Sequence, residues 1–430
     1  MTKSYTAVPN IAIIGAGITG VTTAWALIQR GFDVTLYDRN RYAAMETSFA
    51  NGGQLSASNA EVWNHWSSVI KGMKWMLRDD APLKMSLSPS WHKYSWMAEF
   101  LANIPNYEKN TVATAKMAIA AREHLFGMAR EAGVSFDLEK RGILHFYGNE
   151  KSLKHARNVN RLLNEAGLDR RELSPLEIRK IEPTLTGQFV GGFFTESDAT
   201  GDIHKFSVGL ADACVDHGAQ FMSGTTVKKL TRQSDGKVKV AFEEDGTDRA
   251  ITHDAVIVCA GVHSREFARQ LGDRVNIYPV KGYSITVQLN DEKSQNGAPW
   301  TSLLDDDAKI VTSRLGKDRF RIAGTAEFAG FNRDIRANRV KPLIDWCEEY
   351  FPEASTEQVV PWAGLRPMMP NMMPKVGAGR APGVFYNTGH GHLGWTLSGA
   401  TADMIAAEVD QAFAGRVTRA ATPKMAVAAE

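Results

Sequence analysis

The stretch Ile11-Ala12-Ile13-Ile14-Gly15-Ala16-Gly17-Ile18-Thr19-Gly20 decides the fold. Its four leading apolar residues read as a strand buried on both faces. Three glycines follow at once, spaced Gly-x-Gly-x-x-Gly. Residues 21–30 then place Val21, Ala24, Trp25 and Ile28 at helical spacing, and Gly31 ends the pattern. Asp33-Val34-Thr35-Leu36-Tyr37-Asp38 reads as a second strand, which completes a βαβ unit. In such a unit the first glycine allows a tight turn and the second lets a diphosphate approach. The third lets the helix pack on the strand. The diphosphate meets the helix N-terminus, where free N–H groups and the dipole favour anions. Asp38 lies eighteen residues beyond Gly20, where a carboxylate can accept a ribose hydroxyl. The unit predicts a dinucleotide and leaves NAD and FAD both open.

Two later stretches favour FAD. Glu46-Thr47-Ser48, followed by Asn51-Gly52-Gly53-Gln54, comes soon after Asp38. Small hydroxyl residues and glycines there suit a loop that cradles a long, extended cofactor. Far down the chain, Gly389-His390-Gly391-His392-Leu393-Gly394-Trp395-Thr396 precedes a helix. A glycine-lined helix N-terminus can face a flavin ring and stabilise negative charge on it. His390-x-His392 has no apparent third ligand, so a metal site is not expected. No P-loop, Gly-x-Ser-x-Gly elbow or His-Glu-x-x-His is present.

Outward from these motifs the chain alternates strand and helix patterns. Helices are expected over 110–132, 153–166, 205–218 and 339–351, and from Thr396 to about 412. Strands are expected over 142–147, within 220–230, over 255–260, 283–289, 309–312, 320–323 and 383–387, and a hairpin over 238–252. Arg314, Arg319 and Arg321 read as surface charges. Trp63, Trp66, Trp75, Trp91 and Trp96 cluster with Met73, Met76, Met85 and Met97, beside Lys71, Lys74 and Arg78. That text suits either core packing between helices, the favoured reading, or an interfacial membrane surface.

Composition narrows the function class. The 430 residues are 43% hydrophobic and 23% charged, an ordinary globular balance. Fifty Lys and Arg against 48 Asp and Glu leave a net charge of +2, so no nucleic-acid partner is implied. Cys214, Cys259 and Cys347 are far apart, which disfavours a disulfide framework or a zinc ribbon. No signal peptide or membrane-spanning run is apparent. The expected location is cytoplasmic, with peripheral contact at the inner face of the cell membrane as the extension.

Together these residues resemble the D-amino-acid oxidase superfamily of FAD-dependent oxidoreductases, and within it the bacterial D-amino-acid dehydrogenases. The matching blocks are IIGAGITG at Ile13, ETSFANGGQ at Glu46, YPVKGYSIT at Tyr278, WAGLRPMMP at Trp362 and NTGHGHLGWT at Asn387. The resemblance implies an α/β fold. A Rossmann-like FAD-binding domain is assembled from 1–60, 191–275 and 375–415. An α+β substrate domain on an antiparallel sheet takes 61–190 and 276–374, and 416–430 is a flexible tail. It implies non-covalent FAD held by Gly15, Gly17, Gly20, Asp38, Ser48, Gln54, Val227, Gly389 and Gly394. The same stretches add Arg39, Thr47, Asn51, Gly52, Ala260, Gly261, His390, Gly391, His392, Leu393 and Thr396. Arg366 matches the arginine that pairs with the substrate carboxylate, and Tyr283 an aromatic hydroxyl near the pocket.

The implied reaction is oxidation of D-amino acids to 2-oxo acids and ammonia, by hydride transfer from Cα to flavin N5. Electrons pass to a quinone or another respiratory acceptor. One alternative is an oxidase or dehydrogenase of glycine, sarcosine or D-proline type. Another is a non-catalytic flavin-binding subunit, against which Arg366 counts. The chain departs from the family after Arg366, where the usual Asp-Gly turn has become Asn371-Met372. Asparagine tolerates a left-handed backbone, and methionine does so poorly.

Overall fold

The computed structural model describes residues 8–75, 83–86 and 88–414. Strand β1 (Asn10–Ile14), helix α1 (Ile18–Ile28) and strand β2 (Asp33–Tyr37) form the expected βαβ unit. β1 is the centre of a six-stranded sheet. It pairs in parallel with β2 on one side and with Ala255–Val258 on the other. Gln220–Met222 and Val384–Thr388 extend the parallel ladder, and Lys375–Ala378 closes it antiparallel. Ile11, Ala12 and Ile13 are wholly buried, as a strand covered on both faces requires.

The final helix (Gly394–Ala412) lies against α1 and against Tyr107–Glu131. A Cβ at Gly399 would stand 2.5 Å from the Ala121 carbonyl oxygen, so only glycine permits that approach. The second large sheet has nine strands, mostly antiparallel, centred on Tyr278–Gln288, Arg319–Phe328 and Val359–Met368. A three-stranded sheet (Thr226–Arg232, Val238–Glu244, Thr247–His253) stands apart.

Two pieces cross the boundaries drawn from the sequence. Gly191–Thr195 pairs with Ile143–Tyr147 in the nine-stranded sheet, not with the six-stranded one. The helix Tyr107–Glu131 sends Leu125, Met128 and Ala129 into the core around the six-stranded sheet. The three arginines read as surface charges also need correction. Arg314 is 1% exposed and donates to the carbonyls of Gln295, Ala298, Gly316 and Lys317. Arg321 is buried on Thr286 and the Asn51 carbonyl, and burial pushes its pKa down to about 10. Arg319 pairs with Asp202 and Asp137. Arg319 and Arg321 face partners distant in sequence, and Arg314 folds back onto nearby carbonyls as well as those of Gln295 and Ala298, so strand text gave no sign of them.

The tryptophan-rich region divides. Trp96 is buried and donates to the Met368 carbonyl at 2.8 Å, whereas Trp66 and Trp91 are 60% and 83% exposed. The side chains of Lys71, Met73, Lys74 and Trp75, together with Met76, Arg78 and the tail 416–430, lie outside the described residues. Among the described residues no helix is long and apolar enough to cross a membrane. Cys214, Cys259 and Cys347 are free and buried.

Candidate active site

A cavity of about 1000 Å³ is lined from both large sheets. At one end stands the turn into α1. Gly15 has φ +105°, a conformation reserved for glycine, and a Cβ there would lie 2.7 Å from the Cys259 carbonyl oxygen. A Cβ at Gly20 would overlap the Gly15 carbonyl oxygen. Gly20 therefore closes the helix onto the strand and, unlike Gly15 and Gly17, does not line the cavity. Gly17 faces open space, its nearest neighbour being Ser48 Oγ at 3.5 Å from a Cβ position. α1 starts there with no side-chain cap and no acid in its first turn. Ser48 Oγ accepts from the Ile18 N–H at 3.0 Å. The result is a cradle that any side chain at 17 would fill, beside a helix N-terminus that no acid in its first turn neutralises. Asp38 Oδ2 accepts from the Ala16 N–H at 2.7 Å, and Oδ1 from the Asn40 N–H at 2.8 Å. Burial raises its pKa, and these hydrogen bonds oppose the rise. This end fits the diphosphate and ribose of a dinucleotide.

Arg39, Val227, Ala260 and Gly261 line the same end. Arg39 is already engaged at the rim, paired with Glu46 at 2.5 Å, and Glu46 also holds Arg333 at 2.6 Å. The loop 46–54 crosses to the large sheet. Thr47 donates to the Leu365 carbonyl at 2.7 Å, and Ser284 donates to the Ala50 carbonyl at 2.7 Å. Asn51 Oδ1 accepts from the Gly53 N–H. A Cβ at Gly52 would press on Val311 at 2.6 Å. Gln54 donates to Ser302 Oγ and the Leu303 carbonyl, while its buried Oε1 has no partner. These polar side chains chiefly fasten the loop.

The turn 389–394 forms the far wall. Gly389 and Gly391 have φ +79° and +59°, and side chains there would strike Met369 and Met368. Leu393 is buried, and Gly394 begins the final helix with no side-chain cap. Thr396 Oγ1 accepts from the Ser56 N–H and donates to the Gln54 carbonyl. The two histidines differ. His390 is hydrogen-bonded to Thr401 at 2.9 Å. His392 stacks on Trp63, ring centres 4.8 Å apart, and has the Asn59 backbone as its polar neighbour. Burial takes both pKa values down to about 3, and the charge of Arg366 adds to the effect on His392. No group of three potential metal ligands occurs among the described residues.

Arg366 projects into this end from the strand Val359–Met368, opposite Val280 in register. Its Nη1 donates to the Thr325 carbonyl at 2.8 Å. It has no acidic partner among the described residues, and burial pushes its pKa down to about 10. Two residues that the sequence reading missed set its position. Gly282 leaves room for the guanidinium, which a Cβ there would overlap. Thr325 holds φ +60°, an outlier for a β-branched residue, and presents its carbonyl to Arg366. Tyr283 lines the cavity, but its hydroxyl donates to Glu327 at 3.0 Å. Glu327 also binds Arg336 and lies 3.5 Å from Lys281. The one phenolic proton is thus committed within the wall, and the hydroxyl has no proton left for a substrate carboxylate in this arrangement.

The expected strain at the changed turn is present. Met372 has φ +61° and is 6% exposed, packed in the cluster of Trp96, Phe328 and Met368. Asn371 Oδ1 accepts from the Met373 N–H.

The chain matches the family described as FAD dependent oxidoreductase over residues 10–408, and it belongs to that family. It is 60% identical to D-amino acid dehydrogenase 3 of Mesorhizobium japonicum, over 93% of this chain and 97% of the relative. It is 39% identical to a D-amino acid dehydrogenase of Paramagnetospirillum magneticum, over 90% and 92%. Among solved structures, L-proline dehydrogenase from P. horikoshii superposes with a TM-score of 0.73 at 14% identity, covering 94% of both chains. Glycine oxidase from Bacillus cereus superposes with 0.68 at 20%, also over 94% of each. At such identities these two likenesses speak for the fold alone.

Proposed function

From membership of the FAD-dependent oxidoreductases we propose that the protein is a dehydrogenase oxidising D-amino acids to 2-oxo acids and ammonia. FAD, when bound, supplies the two-electron acceptor for the Cα hydride. The single observation that carries the reading is Arg366, a half-buried guanidinium without an acidic partner among the described residues, facing the cavity from a strand. A guanidinium fork can hold a carboxylate at two points and fix its plane, which is the orientation this reaction needs. The relatives named as D-amino acid dehydrogenases support the choice of substrate.

In this reading Gly15, Gly17, Ser48 and the α1 N-terminus hold the diphosphate, and Asp38 the ribose. Gly20 supports the turn without touching the cofactor. Loop 46–54 and turn 389–394 flank the flavin, and Thr325 and Gly282 set the angle of Arg366. The FAD-binding domain is taken as 1–60, 196–275 and 375–414, with 107–131 packed against it. Anaerobic mixing with matched D- and L-amino acids, followed by flavin absorbance, tests the reaction. Bleaching by D-enantiomers is expected. Bleaching by the L-enantiomers alone, or by neither, overturns it.

The electron acceptor is a quinone met at a membrane surface. Supporting this, Trp66, Ile70, Trp91, Tyr94 and Leu101 are exposed, and Ser67, Val69, Met97 and Leu101 line the cavity beside them. Exposed aromatic and aliphatic side chains on the helices Trp66–Trp75 and Trp91–Ala102 favour an interfacial position. Peroxide formed in air as fast as quinone is reduced would sink this part.

A further inference from the structure

Four polar side chains meet at the mouth of the cavity. Arg39, Glu46, His263 and Arg333 all line it. The side chains of Arg39, Glu46 and Arg333 are also 39%, 36% and 46% exposed, so they stand where the cavity opens to solvent. Glu46 takes Arg39 at 2.5 Å and Arg333 at 2.6 Å. Arg39 meets His263 Nε2 at 3.3 Å, and the His263 ring lies 5.4 Å from that of Phe331. Burial would raise the Glu46 carboxyl, and the hydrogen bonds from Arg333 and Arg39 outweigh it, so the group stays charged below its ordinary range.

The members of this cluster come from opposite sides of the cavity. Arg39 directly follows Asp38, which is bonded to the Ala16 N–H. Glu46 lies two residues before Ser48, which is bonded to the first turn of α1. Both therefore sit beside the groups that face the ribose and the diphosphate. Arg333 and Phe331 arrive from the nine-stranded sheet, on loop 329–336 between the strand Arg319–Phe328 and the helix Ala337–Tyr350. Polar contacts hold this loop, because Phe331 and Ile335 are exposed. Lys281, wholly buried, donates to Asn332 Oδ1 at 2.7 Å and to the Asp334 carbonyl at 3.0 Å. The residues on both sides of Arg333 are thus fastened to the sheet, and Arg333 itself reaches across to Glu46.

We propose that Arg333 and Glu46 form a clasp across the mouth of the cavity that slows the release of FAD seated against α1. The assignment rests on the reading of the α1 end as the FAD seat. With the pair closed, loops from both large sheets are joined beside the ribose and diphosphate anchors, and the cofactor leaves when the pair opens. One partly exposed ion pair is worth little, so the clasp acts as a brake on release and not as the source of affinity. Salt screens such a pair, which gives the clasp a signature of its own.

The test follows the rise of free-FAD fluorescence after dilution of the holoenzyme, at low and at high salt. Glu46→Gln and Arg333→Ala are each expected to release FAD roughly three- to tenfold faster at low salt. The double variant should be no faster than Glu46→Gln alone, because both changes remove the same contact. Arg333→Lys keeps the charge and should recover part of the loss. High salt should speed release from the wild type more than from the variants and narrow the gap between them. Wild-type release rates in Glu46→Gln and Arg333→Ala overturn the proposal. So does a double variant that shows the full product of the two single effects, since the residues then act separately. A raised KM for the amino acid with unchanged FAD release would make the loop a gate for substrate, and the clasp falls. Gly17→Val tests the premise apart from the clasp. If that protein is colourless the FAD seat stands whatever the clasp variants do, and if it is fully flavinated the seat is elsewhere and the proposal falls with it.

Discussion

At the α1 end of the cavity the proposed recognising groups are a helix N-terminus with the Ser48 and Asp38 side chains, and Gly15, Gly17 and Gly20 matter there for having no side chain. At the Arg366 end they are side chains, aimed by a glycine that makes room and a threonine held at φ +60°. The difference decides what a mutation does. Near α1 an added side chain destroys an empty space or a helix–strand contact. Near Arg366 a lost side chain removes one contact and leaves the framework.

The most severe test of that contrast is Gly20→Val. Its Cβ would overlap the Gly15 carbonyl oxygen, so α1 cannot seat on β1, and little soluble folded protein is expected on expression. Gly17→Val should separate fold from function. With Ser48 Oγ 3.5 Å from a Cβ, the chain has room to fold, and the side chain then fills the diphosphate cradle. Circular dichroism should be near normal and flavin absorbance absent. A fully flavinated Gly17→Val protein would place the cofactor elsewhere.

At the other end Arg366→Ala should keep its yellow colour and lose roughly 10–100-fold in kcat/KM, the worth of a hydrogen bond to a charged group. Arg366→Lys should also be impaired, because a point charge does not fix the carboxylate plane. Normal kinetics in both would erase the contrast between the two ends.

A smaller effect is expected at Met372. Trimming a buried methionine costs about 2–5 kcal/mol, whereas a left-handed non-glycine backbone costs roughly 1–2 kcal/mol. Met372→Gly loses the packing and gains the relief, while Met372→Ala loses the packing alone. The glycine variant should melt above the alanine variant, the reverse of the usual order, and an alanine variant that melts higher would show no strain at φ +61°. Smallest of all, Trp66→Ser with Trp91→Ser should weaken sedimentation with phospholipid vesicles and leave reduction of a soluble dye unchanged.

The contrast also explains what could be read from the sequence. The βαβ unit was legible residue by residue, because Gly15, Gly17, Gly20 and Asp38 act through local backbone geometry within one short stretch. The final helix, ending at Ala412, was legible for the same reason. Arg366 was singled out through the WAGLRPMMP block, with no element assigned to it. It stands on a ten-residue strand whose partners are 278–288. Gly282 and Thr325 gave no signal, since their role exists only once three strands lie side by side. Tyr283 was placed at the cavity correctly, but its commitment to Glu327, 44 positions away, could not be read from local text. Arg321, held by Thr286 and the Asn51 carbonyl, was misread for the same reason.

The order of β1 and its neighbours has a consequence for synthesis. β1 and β2 are joined within the first 37 residues, yet the other neighbour of β1, Ala255–Val258, lies more than 200 residues later, and turn 389–394 later still. At about 5–20 residues per second, a ribosome needs roughly 20–70 s to pass from Tyr37 to Gly389. Until Val258 has been made the nascent chain presents an apolar parallel strand with one edge unpaired, the kind of surface to which chaperones bind. Flavin capture belongs to the completed polypeptide, and the supply of FAD cannot rescue the chain during its elongation.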